Sequence, residues 1–266
     1  MVKRELKINL KSFLIWTSVI LGMFIVVLSI YPSLMNSETM SGIDSMLEMF
    51  PEEVLKAFNM DLVEVASIST ASGWIKTEGL VFFLLVGSLY ASILGGNILL
   101  KEESDKTIEF LAVKPITRSG IITSKVISGL IYITAFDLIV SAGTIIGLWL
   151  LDDLVLKDMV MLLVGPIIIF YVFFALTLFI STFFSKTKKI VGLSFALVFA
   201  SYFLQVIGSL SEKVEMVKYF SIFSIYETRT VLVEGSLNYL SIGVGIIIIL
   251  ISTAATYINY NKKELV

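Results

Sequence analysis

Residues Lys101–Lys125, KEESDKTIEFLAVKPITRSGIITSK, form a polar stretch between two apolar runs that are each long enough to cross a bilayer. Whatever this segment does, it does at a membrane surface. Ser104 or Asp105 offers a side-chain acceptor to the open amides of a helix start, and Ile108, Leu111 and Ala112 then fall three and four apart on one face. Pro115 ends that helix, because proline lacks an amide proton and pushes the residue before it out of helical geometry. Lys114-Pro115 turns the chain, and Ser119 starts the next helix. The spacing predicts a short amphipathic helix between two spans, with Glu102, Glu103, Glu109, Lys114 and Arg118 around it. Two readings of the stretch stand side by side: a solvated charged connection, or a docking element.

Working outward, 57% of the 266 residues are hydrophobic, only 16% are charged, and the mean hydropathy is +0.94. That composition describes an integral membrane protein. Cysteine and histidine are both absent. Zinc or iron sites built on those ligands, cysteine nucleophiles and Ser-His or Cys-His relays are therefore excluded. A net charge of −2, with no basic stripe studded by aromatics, predicts no nucleic-acid partner.

Six apolar runs of about 20 residues predict an all-α polytopic fold, a single transmembrane domain over 1–266 with spans near 13–31, 79–100, 121–151, 160–184, 190–210 and 237–257. Lys3, Arg4, Lys7 and Lys11 lead into the first as an interfacial helix. The run that follows is too long for a signal peptide and lacks an A-x-A site, so the reading is a retained span. Fourteen of the twenty Lys and Arg fall in the segments on the side of the Lys101–Lys125 loop. By the positive-inside rule that side, with both termini, is cytoplasmic. Pro32–Glu78 is too long for a plain connection, and its spacing predicts amphipathic outer helices. Val217, Phe220, Ile222, Phe223 and Ile225 predict a partly re-entrant segment before the last span.

With those features in place, the central loop resembles the first cytoplasmic loop of type-2 ATP-binding cassette (ABC) permeases. The matching residues are Glu102, Glu103, Thr107, Glu109, Leu111, Pro115, Thr117, Arg118 and Lys125, with Lys106 where that family often has glycine. The Tyr-Ile-Asn-Tyr-Asn-Lys-Lys ending is similar to the family's aromatic-then-basic C terminus. The resemblance implies a coupling helix that docks on a separate ATPase subunit through Glu102, Glu103, Thr107, Glu109, Phe110, Leu111, Pro115 and Arg118. It implies two ATPase copies carrying ATP and Mg, and a second permease, either an identical copy or a related chain. It also implies a bacterial cytoplasmic membrane and export of a drug, lipid or amphipathic peptide.

No G-x-x-x-x-G-K-[ST] occurs, so the chain is not expected to build the usual phosphate cradle or to act as an enzyme itself. Asp137, near the middle of the third span, is expected on a translocation path together with Asn97 and Gln205. The alternative is a carboxyl kept neutral by burial and hydrogen-bonded to Ser141 or Thr134. A proton- or ion-coupled carrier using Asp137 is the rival function, though no matched second half accompanies it. Gly95-Gly96, Gly143-x-x-x-Gly147 and Gly243-x-Gly245 predict close helix packing, and Pro166 predicts a kink.

Overall fold

The computed structural model describes residues 1–34, 49–51, 70–105, 117–210, 212–226 and 238–263. The centre of the expected coupling helix (Thr107, Glu109, Phe110, Leu111 and Pro115) and nearly all of the expected outer helices lie outside the described residues. The helices are α1 (Val2–Leu34), α2 (Ala71–Trp74), a π turn (Ile75–Gly79), α3 (Leu80–Ser104), α4 (Arg118–Leu150), α5 (Leu156–Val164), α6 (Ile167–Ser181), α7 (Thr187–Leu210) and α8 (Tyr239–Lys262). Two 3₁₀ segments, Glu212–Phe220 and Ile222–Ile225, lie between α7 and α8. Among the described residues there is no strand. Six stretches are long and apolar enough to cross a membrane, with α2 through α3 making one and α5 through α6 another. The basic approach and the first span form one unbroken helix, α1.

Burial sorts these helices into a centre and a rim. The most apolar stretch of α2–α3 is 72% buried inside the bundle, against 28% for α1, 22% for α7 and 17% for α8. A helix that is apolar all round belongs at the centre, where every face meets protein. α3 packs most closely on α6 and α7, and glycines set how closely. A Cβ added at Gly87 would lie 2.3 Å from the Phe170 ring, and one at Gly95 would lie 2.4 Å from the backbone oxygen of Phe174. Phe83, Phe136 and Phe170 stack and meet edge-on in the resulting core.

At the kink expected at Pro166, Gly165-Pro166 interrupts the helical hydrogen bonding between α5 and α6 while both residues keep right-handed helical torsions. Proline cannot donate, so carbonyls of the preceding turn lose helical partners and must be satisfied from elsewhere. Ser141 of α4 donates to Leu163 O at 3.2 Å, and the Tyr226 hydroxyl adds a second donor to Met161 O, which already accepts from Gly165 N. The Tyr226 ring lies where a Gly165 side chain would otherwise sit. Tyr226 comes from the predicted re-entrant segment. Phe223, Ile225 and Tyr226 are buried, whereas Phe220 is 81% exposed. The Ser201 hydroxyl accepts from Ile222 N, and Ser221 caps the second 3₁₀ turn by accepting from Phe223 N. These hydroxyls shield backbone that no helix supports.

At the opposite end of the bundle from the loop, α4 closes in a Schellman turn. Asp153 N donates to Leu148 O and Asp152 N to Trp149 O, with Asp152 in the left-handed region at φ 54. The turn aims the Asp153 carboxylate at the start of α2, where it accepts from Ser72 N (2.8 Å) and Ser72 Oγ (3.0 Å). A carboxylate at a helix N-terminus also opposes the positive end of the helix dipole.

Candidate functional site

The flanks of the central loop meet the start of α1 and the end of α8 at one end of the bundle. Thr117 caps α4 by accepting from Gly120 N, which fixes where the loop ends and the helix begins. Two turns along, Lys125 is 1% exposed. A buried ammonium requires compensation for its lost hydration. Lys125 Nζ donates to Glu102 Oε2 at 2.6 Å and to Ile98 O at 2.5 Å, and it lies 3.4 Å from Glu5 Oε2. One lysine of α4 thereby joins the end of α3 to the first turn of α1. Two carboxylates share one ammonium, and Glu5 Oε1 has no hydrogen-bond partner among the described residues.

A second set of bonds ties the loop to α8. Lys263 Nζ donates to Glu103 Oε2 (2.7 Å) and to Phe184 O (2.6 Å). Arg118 Nη1 donates to Asn261 O (3.0 Å) and Lys263 O (2.7 Å), the carbonyls that the end of α8 leaves open. Asn261 donates to Ser119 Oγ, Tyr257 OH lies 2.7 Å from Thr123 Oγ1, and Asn259 donates to Thr182 Oγ1. The last turns of α8 are thus fastened to the first turns of α4 and to the end of α6. Ser104 and Thr187, 3.3 Å apart, bring in the start of α7.

Three of the residues expected at the docking contact are engaged within the chain. Glu102 and Glu103 are 4% and 8% exposed and bonded to lysines of their own chain. Arg118 is exposed, but its guanidinium caps α8. The three anchor the flanks of the loop. Glu5, Tyr257, Asn259, Asn261 and Lys263 complete the cluster unforeseen. An acid set among four basic residues in the first turns of α1 was the available signal for Glu5.

The residues expected on a path are spread along the bundle rather than gathered. Asn97 lies one turn from Lys101, near the ion pairs, and Gln205 is 18 residues into α7, about 27 Å along its axis. Asp137 is fully buried in α4, and neither carboxyl oxygen has a hydrogen-bond partner among the described residues. The expected partners are engaged elsewhere. Ser141 serves the carbonyl freed by the Pro166 break, and Thr134 bonds Leu130 O and the Tyr171 hydroxyl.

A bundle of six apolar helices whose central polar loop is anchored to both α1 and α8 defines a polytopic membrane component with no soluble domain among its described residues. The family described as ABC-2 family transporter protein matches residues 1–265, and the chain belongs to it. It is an ABC transporter permease, a membrane transport component. No curated protein and no solved structure matches the chain.

Proposed function

We propose that this chain is the membrane subunit of an ATP-driven exporter, and that the loop between Glu103 and Thr117 receives force from a separate ATPase subunit at the cytoplasmic face. The observation that carries the reading is the double anchorage of that loop. Lys125 fixes it to α1 and α3, and Glu103, Arg118 and Lys263 fix it to α8. A lever transmits displacement only if its base is stiff, and charge-assisted bonds at both flanks supply that base. Two permeases, identical or related, would enclose the path, with one ATPase below each. The cargo class is hydrophobic or amphipathic, in keeping with a chain whose rim helices expose mainly aliphatic and aromatic side chains.

Co-purification with the ATPase tests this. Glu109→Lys with Leu111→Asp is expected to abolish ATPase retention while the permease still inserts and folds. Retention unchanged by that pair overturns the docking assignment. Transport that persists without ATP on a proton gradient, and stops with Asp137→Asn, overturns the exporter reading in favour of a carrier.

A further inference from the structure

A cleft of about 490 Å³ opens between α1, α3 and the first residue of α7. Its lining changes with depth. Lys11, Lys101 and Asp105 stand toward the end of the bundle that carries the ion pairs, and Ile15, Trp16, Ile93 and Leu94 lie about 6–12 Å further along the helices. Asn97 sits between the two zones, and its Oδ1 is buried with no hydrogen-bond partner among the described residues. Lys11 and Lys101 make no ion pair among the described residues. The helices beside the opening, α1 and α7, are rim helices, so the cleft opens at the perimeter of the bundle.

We propose that this cleft holds one anionic phospholipid of the surrounding leaflet. The phosphate lies against Lys11 and Lys101, the ester region meets the Asn97 amide, and one acyl chain runs along Ile15, Trp16, Ile93 and Leu94. A volume of this size is that of a small-ligand site. It takes the phosphate, the glycerol and the first part of a chain, and the rest of the lipid continues into the bilayer. The apolar zone of Ile15, Trp16, Ile93 and Leu94 beyond the lysines is a feature that a free anion would not require. Charge sets the lipid class. Asp105 offsets one of the two lysines, which leaves one positive charge at the mouth, and Lys186 and Lys188 flank Thr187 in the chain. A basic pocket between membrane helices selects anionic over zwitterionic headgroups. The occupant is a resident of the leaflet, and the site does not depend on what the chain transports.

The chain has three tryptophans, and Trp16 alone of them lines the cleft. Trp74→Phe with Trp149→Phe leaves it as the sole reporter in the full-length chain, reconstituted in phosphatidylcholine vesicles. Phosphatidylglycerol brominated on the acyl chain is expected to occupy the site about fivefold more than brominated phosphatidylcholine at equal mole fraction, the effect of one uncompensated charge near a membrane surface. Lys11→Gln with Lys101→Gln should bring the two to parity. Equal quenching in the lysine-bearing protein overturns the proposal. Absence of quenching by either lipid does so too, since a protein surface such as a second copy then covers the cleft. Loss of the preference on adding millimolar inorganic phosphate also overturns it, because the site then takes free anions. Native mass spectrometry of the chain with all three tryptophans is a second test. Phosphatidylglycerol carried by the unsubstituted protein and shed by the lysine pair variant supports the lipid, and equal retention overturns it.

Discussion

Lys125 is the residue on which most of the bonding at the loop end converges, and its burial makes its removal asymmetric. Lys125→Met strips the ammonium from Glu102 and Glu5, two carboxylates that are 4% and 2% exposed. Breaking a buried pair by deleting one partner costs about 3–5 kcal/mol, whereas replacing the whole set with apolar residues is often neutral. Denaturant unfolding in micelles is therefore expected to show a large loss for Lys125→Met alone and recovery when Glu5→Leu and Glu102→Leu are added. A deficit that persists in the triple variant shows that packing, not charge, explains the first effect. Asp152 gives the opposite sign. Its φ of 54 places a Cβ in the left-handed region, which glycine occupies without strain. Asp152→Gly is expected to stabilise by about 0.5 kcal/mol in the same assay. Asp153→Gly, which removes the carboxylate holding Ser72, is expected to destabilise by about 1 kcal/mol.

At the scale of helices, the glycines separate into two kinds that a small-x-x-x-small pattern does not distinguish. Gly95 faces the backbone oxygen of Phe174, which cannot move without shifting α6 as a whole. Gly143 faces the Cδ2 of Leu21, the end of a side chain that can change rotamer, and Gly243 has nothing within 4 Å. Gly95→Ala is expected to destabilise by about 1–3 kcal/mol, and Gly143→Ala by well under 1 kcal/mol, as measured by the same unfolding midpoint. Similar losses at both positions would refute the distinction. The example also marks how far the elements could be read in advance. Six spans were legible because apolar length is a local property, and the Pro166 break because proline's missing donor is local too. The rescue of that break was not legible, since Ser141 and Tyr226 are 22 and 65 residues from the carbonyls they serve. The same limit applies to the loop. Its acids and Arg118 were found by pattern, but their partners Glu5, Asn261 and Lys263 lie at the far ends of the chain. A motif read alone therefore gave no sign that Glu102, Glu103 and Arg118 are bonded within the chain.

For the whole molecule, the bonds among Glu5, Glu103, Lys125, Ser104, Thr187 and Lys263 place the start of α1, the end of α8, the flanks of the central loop and the α6–α7 connection at one end. Those are the segments in which fourteen of the twenty Lys and Arg reside. The fold therefore concentrates positive charge at one end, and the positive-inside rule predicts from that asymmetry that this end faces the cytoplasm. The proposed coupling to an ATPase depends on it, because nucleotide is available on that side only. The absence of cysteine from the chain makes the test direct, since any introduced thiol is the sole reactive site. Lys186 is exposed at the basic end, and Met216, in the first 3₁₀ segment, is 78% exposed at the other. In intact cells a membrane-impermeant maleimide is expected to label Met216→Cys and to spare Lys186→Cys, and permeabilisation should render both reactive. The reverse pattern would put the central loop outside, beyond the reach of any ATP-bound partner. Labelling of both in intact cells would mean that the chain does not insert in a single orientation, and an anchored loop would then have no fixed side from which to be driven.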